Sequence, residues 1–519
     1  MAVLHLSTPL DSLGITKTVV EAASPAEEAD KWFSAFVEAV RMSDIASIID
    51  LFHETGSWRD IVALTWSLRT LRGRKDIKRL LDARFEATGL TTLQLNKGVR
   101  YAPARVAPLP DLAFIRFCFT FETLHGKGSG VCHLVRSSPS PEGSWKAHAL
   151  LTHLDTLKSS EAGVFRSRMM FHGSWEDKRN HELEFSNGDP DVLIIGAGQC
   201  GLQIAAHLKY MGVSTLVIER NARVGDNWRT RYKSLFLHNL IHYNQTSYLR
   251  FPSTWPLFSP APKDCYRGRV VHSSEYKTGS GYEGMKAIVV GACNSAHDIA
   301  LDLCNNDTDV TIIQRSSTFV ISHQALAAEH GVTYNDGFPT ELADLLGLAL
   351  PWSTQKSILQ YKVPRVAGTT DKALLKGLER VGFKTNLGPD RTGVITLSSV
   401  RGGGFYINTG ASEKIIDGSI KLKSECSIER FTTNGLALHD GTELQADIVI
   451  FATGFGDLRD SVRLVCGEEV AEKVGLVWGM DDEGELRSVW KDSGHEGFWI
   501  AAEIKASLEG LFRREELTF

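Results

Sequence analysis

The feature that most constrains this chain is a glycine-rich turn between two apolar runs. Val192–Ile195 has the length of a buried strand and leads directly into Gly196-x-Gly198-x-x-Gly201. Apolar residues then recur at helical spacing, and a second apolar run ends in Glu219. The three glycines allow a tight turn, close approach of a pyrophosphate to the backbone, and close packing of helix on strand. Because Glu219 is placed to meet a ribose hydroxyl, the pattern predicts a dinucleotide-binding βαβ unit.

A degenerate copy of this pattern follows later in the chain. An apolar strand run ends at Gly291, Asn294 and Ser295 begin the helix, and the second strand ends at Arg315. Cys293 stands where the second glycine belongs, and its side chain would crowd a pyrophosphate. Arg315 suits a 2′-phosphate and therefore favours NADPH over NADH. The alternative for Arg315 is a solvated charge at the end of a strand.

Two dinucleotide units in one chain are typical of a flavoprotein that passes hydride from NADPH to FAD. Two more stretches accompany them, Y-x-G-x-x-x-H-S-x-x-Y from Tyr266 to Tyr276, with Gly268 and His272, and an apolar run that ends in Thr453-Gly454. With these motifs the chain resembles the flavin-dependent monooxygenase family over residues 189 to about 502. Tyr276, in place of Trp or Asp, favours this family over the related Baeyer–Villiger enzymes.

The resemblance implies FAD and NADPH as cofactors and O2 as co-substrate. In the implied chemistry NADPH reduces FAD, O2 forms a flavin C4a-hydroperoxide, and one oxygen atom passes to a small organic substrate by N- or S-oxygenation or oxidative decarboxylation. The residues expected to bind the cofactors are Gly196, Gly198, Gly201, Glu219, Trp228, Gly291, Asn294, Ser295, Arg315, Thr453 and Gly454. No catalytic side chain is identified. A flavin-dependent reductase with another acceptor and a truncated, inactive homologue stay open as alternatives.

Two departures from the family distinguish this chain. Only 45 positions separate Glu219 from Asp264, whereas relatives place further flavin-domain strands between Lys263 and the Tyr266 fingerprint. The run that ends at Ala502 continues directly into charged residues, where relatives have a glycine-containing turn that touches the flavin. Crossover connections in a parallel sheet need a dozen or more residues each. We therefore expect weak FAD binding and little NADPH oxidation.

The chain before the first glycine turn has a different pattern. Apolar residues at helical spacing come first, and strand-like runs separated by turn residues follow, which indicates an α+β module. Its order resembles the SnoaL-like or nuclear-transport-factor-2-like cone fold, and this front end is similar to that of fungal-type members of the family. Trp58, Asp60 and His153 are candidates for lining a pocket in the cone. A docking or dimerising module whose aromatic residues form the core is the favoured alternative.

The predicted fold class is α/β, with an NADPH-binding Rossmann-like domain inserted in an FAD-binding one and a SnoaL-like α+β domain in front. The expected ranges are a tail (1–28), the SnoaL-like domain (29–157), a linker (158–188), the FAD domain (189–263 and 430–519) and the NADPH domain (264–429).

Composition narrows the partners and the compartment. The net charge of −5 gives no reason to expect nucleic acid or an anionic membrane as a partner. The eight cysteines show no CxxC or metal-type spacing, and no run of apolar residues is long enough to span a bilayer. We expect a cytoplasmic protein without a bound metal, and a homodimer stays open.

Overall fold

The computed structural model describes residues 24–137, 143–158, 174–184, 188–235, 238, 270–331, 333–454 and 456–502. Two of the predicted site residues, Tyr266 and Gly268 of the fingerprint, lie outside these residues. No helix in the described ranges is long and apolar enough to cross a membrane. The architecture is mixed, with one large sheet near the N-terminus and smaller sheets after residue 188, so the predicted α/β class is confirmed.

The N-terminal unit is a seven-stranded sheet with three helices, and its central strands run in the order β2-β1-β7-β6-β5-β3. Its elements are α1 (Pro25–Arg41), α2 (Ile45–Asp50), β1 (Phe52–Ile61), β2 (Leu68–Arg72), α3 (Gly73–Thr88), β3 (Thr91–Leu95), β4 (Ala104–Leu109), β5 (Leu112–Glu122), β6 (Gly126–Arg136) and β7 (Trp145–Leu157). Two helices precede a largely antiparallel sheet, as the sequence indicates, but α3 follows β1 and β2. Strands β5 to β7 were predicted, whereas β1, β2, β3 and β4 were not.

Helix α1 begins earlier than the sequence boundary at residue 29 suggests. The Ser24 side chain accepts a hydrogen bond from the Glu27 backbone N–H, and Pro25 occupies the first turn. A serine cap satisfies a backbone donor that the helix leaves free, and proline is tolerated there because its missing N–H would be unpaired anyway. Residues 25–28, predicted as tail, thus belong to the first helix.

Between the N-terminal unit and the first glycine turn, the predicted linker contains a helix, α4 (Trp175–Leu183). Ser174 and Asp177 form a reciprocal capping box that fixes its start.

The first glycine unit is small. Strand β8 (Val192–Ile195), helix α5 (Gln199–Met211) and strand β9 (Thr215–Ile218) form the expected parallel βαβ unit, followed by the short helix α6 (Asp226–Arg229). Within the described ranges, β8 and β9 form a sheet of two strands that no other strand joins. Leu193, Ile195 and Ile218 consequently remain 53%, 49% and 41% exposed.

The second glycine unit lies in a five-stranded sheet. The elements from there onward are β10 (Val271–His272), β11 (Lys286–Val290), α7 (Asn294–Asn305), β12 (Asp309–Gln314), β13 (Thr318–Ser322), α8 (His323–His330), α9 (Thr340–Leu348), α10 (Trp352–Gly368), α11 (Lys372–Arg380), β14 (Thr385–Asn386), α12 (Gly393–Arg401), β15 (Phe405–Asn408), α13 (Ala411–Ile416), β16 (Ile420–Ser424), β17 (Ile428–Thr432), β18 (Gly435–Leu438), β19 (Glu443–Gln445), β20 (Ile448–Phe451), α14 (Leu458–Cys466) and α15 (Glu468–Lys473).

The strand order of this sheet moves one predicted boundary. All its neighbours are parallel, in the order β10-β20-β11-β12-β16. Strand β20 follows residue 430, where the sequence analysis placed the return to the flavin domain, yet it pairs with β11 of the second unit. The antiparallel sheet β17-β18-β19 shares an apolar cluster with the same strands. The apolar run before Thr453 is thus a central strand of the second unit, because its residues are buried on both faces.

The N-terminal unit is joined to the rest of the chain through apolar and ionic contacts. Leu342, Leu345 and Leu348 of α9 belong to the same buried cluster as the aromatic core of the N-terminal sheet. Arg59 on β1 donates two hydrogen bonds of 2.7 Å to the carboxylate of Glu485, and the two side chains are 13% and 3% exposed. The N-terminal sheet is therefore a docking surface for a segment of its own chain, as the docking alternative anticipated.

Arg59→Met tests how far this contact stabilises the chain. The substitution leaves the Glu485 carboxylate buried without its cation, which typically costs about 3–5 kcal/mol. We expect a clearly lower urea midpoint for unfolding of the full chain, followed by tryptophan fluorescence. Lys78→Met, which breaks the exposed pair with Asp82, is the matched control and should cost less than about 1 kcal/mol. Equal midpoints for the two variants would contradict the argument.

Candidate functional site

The first glycine turn has the open backbone that a pyrophosphate needs. A Cβ built on Gly196 meets no atom within 4 Å, and one built on Gly198 meets only the Asn227 side-chain nitrogen, at 3.4 Å. At Gly201 the same Cβ would lie 2.0 Å from the Gly196 carbonyl oxygen. The first two glycines therefore leave space in front of helix α5, whereas the third permits the helix to pack on the turn. The residues present fit a dinucleotide.

Glu219 lies directly behind this turn. Its carboxylate accepts hydrogen bonds from the backbone N–H groups of Ala197 and Asn221, each at 2.8 Å. These bonds from the two backbone groups, that of Asn221 foremost, lower the pKa of Glu219. A charged carboxylate is thus held at the end of β9, where the βαβ pattern places the acceptor for a ribose hydroxyl. Trp228 lies nearby in sequence, is 41% exposed, and packs its ring against the Arg231 guanidinium.

The second turn is more tightly packed than the first. A Cβ on Gly291 would lie 2.4 Å from the Ala452 carbonyl oxygen, so only glycine lets β11 and the end of β20 approach this closely. Cys293 is the N-cap of helix α7. Burial raises the pKa of its thiol, which keeps it protonated. The Asn294 side chain accepts from the Ile407 N–H at 3.0 Å. Asn294 therefore joins the turn to β15.

Arg315 is exposed at the end of β12, which agrees both with contact to a 2′-phosphate and with a solvated strand-end charge. The start of α7 and this guanidinium lie at the carboxyl ends of the neighbouring strands β11 and β12. Ligands of open parallel sheets bind at this edge. The residues of the second unit therefore also fit a nucleotide with a 2′-phosphate.

The described residues of the fingerprint contact both the end of β20 and helix α7. His272 on β10 lies 3.2 Å from the Gly454 carbonyl oxygen, and Thr453 and Gly454 are exposed after β20. Tyr276 is buried and donates a hydrogen bond of 2.8 Å to Asp302 on α7. Burial and the Asp302 charge raise the pKa of Tyr276 strongly. The fingerprint residues at 272 and 276 thus hold β10 between the end of β20 and helix α7.

Sequence reasoning missed the residues that receive these contacts. Asp298 and Asp302 are one turn apart on α7, and Asp298 accepts a hydrogen bond from Tyr232. An acidic pair at this spacing on an otherwise apolar helix face is the signal that could have revealed them.

The candidate pocket residues of the N-terminal unit are engaged within that unit. Trp58 donates to Thr152 at 3.0 Å, and Asp60 accepts from the backbone of Leu64 and Thr65. Burial raises the pKa of Asp60 despite these bonds. His153 is buried and lies 2.8 Å from Asp155. These groups organise the sheet and its turn, and a pocket role for them stays a prediction.

Comparison with known proteins agrees with this geometry. Residues 251–470 match the family model of flavin-binding monooxygenase-like proteins, and residues 189–234 match that of an FAD binding domain. The probable indole-3-pyruvate monooxygenase YUCCA9 of Arabidopsis thaliana is 30% identical over 339 residues, covering 51% of this chain and 74% of the relative. The indole-3-pyruvate monooxygenase YUCCA8 of Oryza sativa subsp. indica is 26% identical over 383 residues, covering 59% and 82%.

A solved flavin-containing monooxygenase from Stenotrophomonas maltophilia covers 63% of this chain and 96% of its own, at 14% identity and a TM-score of 0.35.

The alignment lengths also show what this chain lacks. The alignment with the Arabidopsis protein has 339 positions, and this chain, with 51% of its 519 residues aligned, fills about 265 of them. About 70 positions of the relative therefore have no counterpart here. This deficit agrees with the two-stranded sheet of the first unit.

Gly198→Ala tests the first turn as the FAD site. Because the added methyl has room in the protein, we expect the fold to be unaffected and FAD retention to fall by about tenfold or more, which corresponds to about 1.4 kcal/mol. FAD content per chain after purification, read from the absorption spectrum, measures this. Gly368→Ala, which also adds a methyl in open space, is the control. Equal flavin content in both variants would show that FAD does not bind at residues 196–201.

Proposed function

Because the chain belongs to the flavin-binding monooxygenase-like family, we propose that it is an FAD- and NADPH-dependent monooxygenase of small organic molecules. The single observation that carries the proposal is the pair of strand–turn–helix units. The first leaves an open cradle at Gly196 and Gly198, and the second ends in the exposed Arg315.

The residues of the first unit would hold FAD. The open turn and the backbone N–H groups at the start of α5 would receive the pyrophosphate, and Glu219 would accept a hydrogen bond from the ribose. In the second unit the start of α7, at Asn294 and Ser295, receives the pyrophosphate of NADPH, and Arg315 pairs with the 2′-phosphate. When both cofactors are bound, they supply hydride transfer and the activation of O2.

The substrate class follows from the family. Relatives named as indole-3-pyruvate monooxygenases act on a 2-oxo acid, so oxidative decarboxylation of such an acid is one reaction we propose to test. Oxygenation of a nucleophilic nitrogen or sulfur atom is the other.

A second candidate is a truncated homologue without enzymatic activity. The observation in its favour is the two-stranded sheet β8–β9, with its exposed Leu193 and Ile195. A flavin-dependent reductase with an acceptor other than O2 uses the same two units and differs only in the last step.

The purified full chain distinguishes these candidates. A monooxygenase should carry the absorption spectrum of oxidised flavin and consume O2 with NADPH in a substrate-dependent manner. A reductase should oxidise NADPH with an artificial acceptor and show no substrate-dependent O2 uptake. A chain that lacks flavin and does not acquire it when incubated with FAD would contradict the proposal and favour the truncated homologue.

Arg315→Ala tests the nicotinamide preference. An arginine–phosphate contact is charge-assisted and often bidentate, and hydrogen bonds to charged groups contribute about 1.5–3 kcal/mol. We expect NADPH affinity to fall by that amount and NADH affinity to stay nearly unchanged, as measured by titration calorimetry. Arg380→Ala, which removes a charge on another helix, is the control. An equal loss of affinity for both nucleotides would contradict the assignment of Arg315 to the 2′-phosphate.

A further inference from the structure

A buried group of polar side chains lies where the segment after helix α6 meets helix α7. The Asp298 side chain is fully buried, accepts a hydrogen bond of 3.1 Å from the Tyr232 hydroxyl, and lies 3.2 Å from Nε2 of His238. Tyr232 and His238 belong to the connection that leaves the first glycine unit, whereas Asp298 lies in the first turns of α7.

The hydrogen bonds of His238 define its orientation. Nδ1 lies 3.1 Å from the Ile407 carbonyl oxygen, and Nε2 lies 3.2 Å from the Asp298 carboxyl group. A carbonyl oxygen only accepts hydrogen bonds, so Nδ1 carries a hydrogen, and one hydrogen lies between Nε2 and the Asp298 carboxyl group. His238 and Asp298 therefore form a hydrogen-bonded pair in which the side chains are 11% and 0% exposed.

The His238–Asp298 pair joins three parts of the chain. His238 bridges α7 to β15 through Ile407, while the Lys233 N–H donates a hydrogen bond of 2.7 Å to the Lys277 carbonyl oxygen just after the fingerprint. Helix α7 begins at the second glycine turn, where the nicotinamide nucleotide is proposed to bind. The pair thus fixes the segment that comes from the flavin unit against the helix of the nicotinamide unit.

We propose that Asp298 and His238 are positioning residues that set the flavin unit against the NADPH unit for hydride transfer. The inference rests on the proposed function. In this step a hydride leaves NADPH, which becomes NADP+, and FAD takes up its two electrons and proton to become FADH−. Such transfer needs the reacting atoms about 3–3.5 Å apart, and a displacement of about 1 Å costs about 100-fold in rate. Neither residue needs to touch a cofactor to control that distance.

Hydrogen exchange on the full chain, without cofactors, tests whether the pair holds the segment after α6 against helix α7. In Asp298→Asn and in His238→Gln the remaining side chain stays buried without its matched hydrogen-bond partner, so the peptide spanning 229–235 should exchange about tenfold faster than in the parent. The double variant replaces both partners and should exchange more slowly than either single variant. Asp309→Asn, which breaks an exposed ion pair with Lys421 on the same sheet, is the matched control and should behave as the parent.

Anaerobic reduction of the bound flavin by NADPH tests the functional part. Both single variants should reduce flavin about tenfold more slowly or worse, while the affinity for NADP+ stays within about twofold of the parent and the double variant recovers part of the rate. Tyr232→Phe, which removes one neutral hydrogen bond, gives a smaller effect of the same kind and serves if Asp298→Asn does not fold.

The outcomes separate this inference from the proposed function. The positioning role would be overturned if both single variants exchanged hydrogen as the parent does, or if they reduced flavin at the parent rate. It would also be overturned if the double variant exchanged as fast, or reduced flavin as slowly, as the worse single variant. If the parent itself carries no flavin, the proposed function fails its own test, and the exchange measurement alone decides whether the pair holds the two units together.

Discussion

Helix α7 and its carboxyl groups, the buried Asp298 and the half-buried Asp302, are the constraint on which the second unit depends. The Tyr232 hydroxyl donates a hydrogen bond to Asp298, and His238 lies 3.2 Å from it; the Tyr276 hydroxyl and the Gly279 backbone N–H donate to Asp302. A buried polar group is costly unless it is hydrogen-bonded, so these segments cannot leave the helix without leaving such groups unsatisfied. The same helix begins at Asn294, directly after the turn at Gly291 and its N-cap Cys293. The element that would bind a nucleotide is thus also the element that holds the fingerprint and the connection from the flavin unit.

The N-terminal unit shows a different way of joining two parts of a chain. Its aromatic core, including Phe36 and Trp58, extends into the leucines of α9, and the Arg59–Glu485 pair closes the contact at its edge. Apolar burial provides most of the free energy in such a contact, while the bidentate ion pair fixes its orientation. Trp58 and Asp60 are enclosed by the N-terminal unit itself, since Trp58 packs on Phe36 and Phe52 and both residues hydrogen-bond to Thr152.

The sequence predicted the elements whose pattern is local and missed those that depend on distant contacts. Local residue patterns locate the glycine turns at Gly196 and Gly291 and the apolar runs of strands β5 to β7, so these elements could be predicted from residue types alone. Docking of α9 could not, because its leucines fit any amphipathic helix and their partner lies more than 200 residues away. The pairing of β20 with β11 was not predicted for the same reason, because the apolar residues of a strand do not specify which strand lies beside it. The spacing of Asp298 and Asp302 is visible in the sequence, but their partners Tyr232, His238 and Tyr276 lie 26 or more positions away and could not be assigned from it.

The two nucleotide units of this chain are unequal in a way that bears on its chemistry. Within the described residues, the second unit has five parallel strands, whereas the first has two strands that leave Leu193, Ile195 and Ile218 about half exposed. Each Å2 of apolar area that stays in water loses about 25 cal/mol of stabilisation, and the net stability of a domain is only about 5–15 kcal/mol. A ligand that binds only the folded unit adds stability in proportion to the logarithm of its concentration over Kd. If the first unit binds FAD as proposed, its folding and its retention of FAD are coupled equilibria.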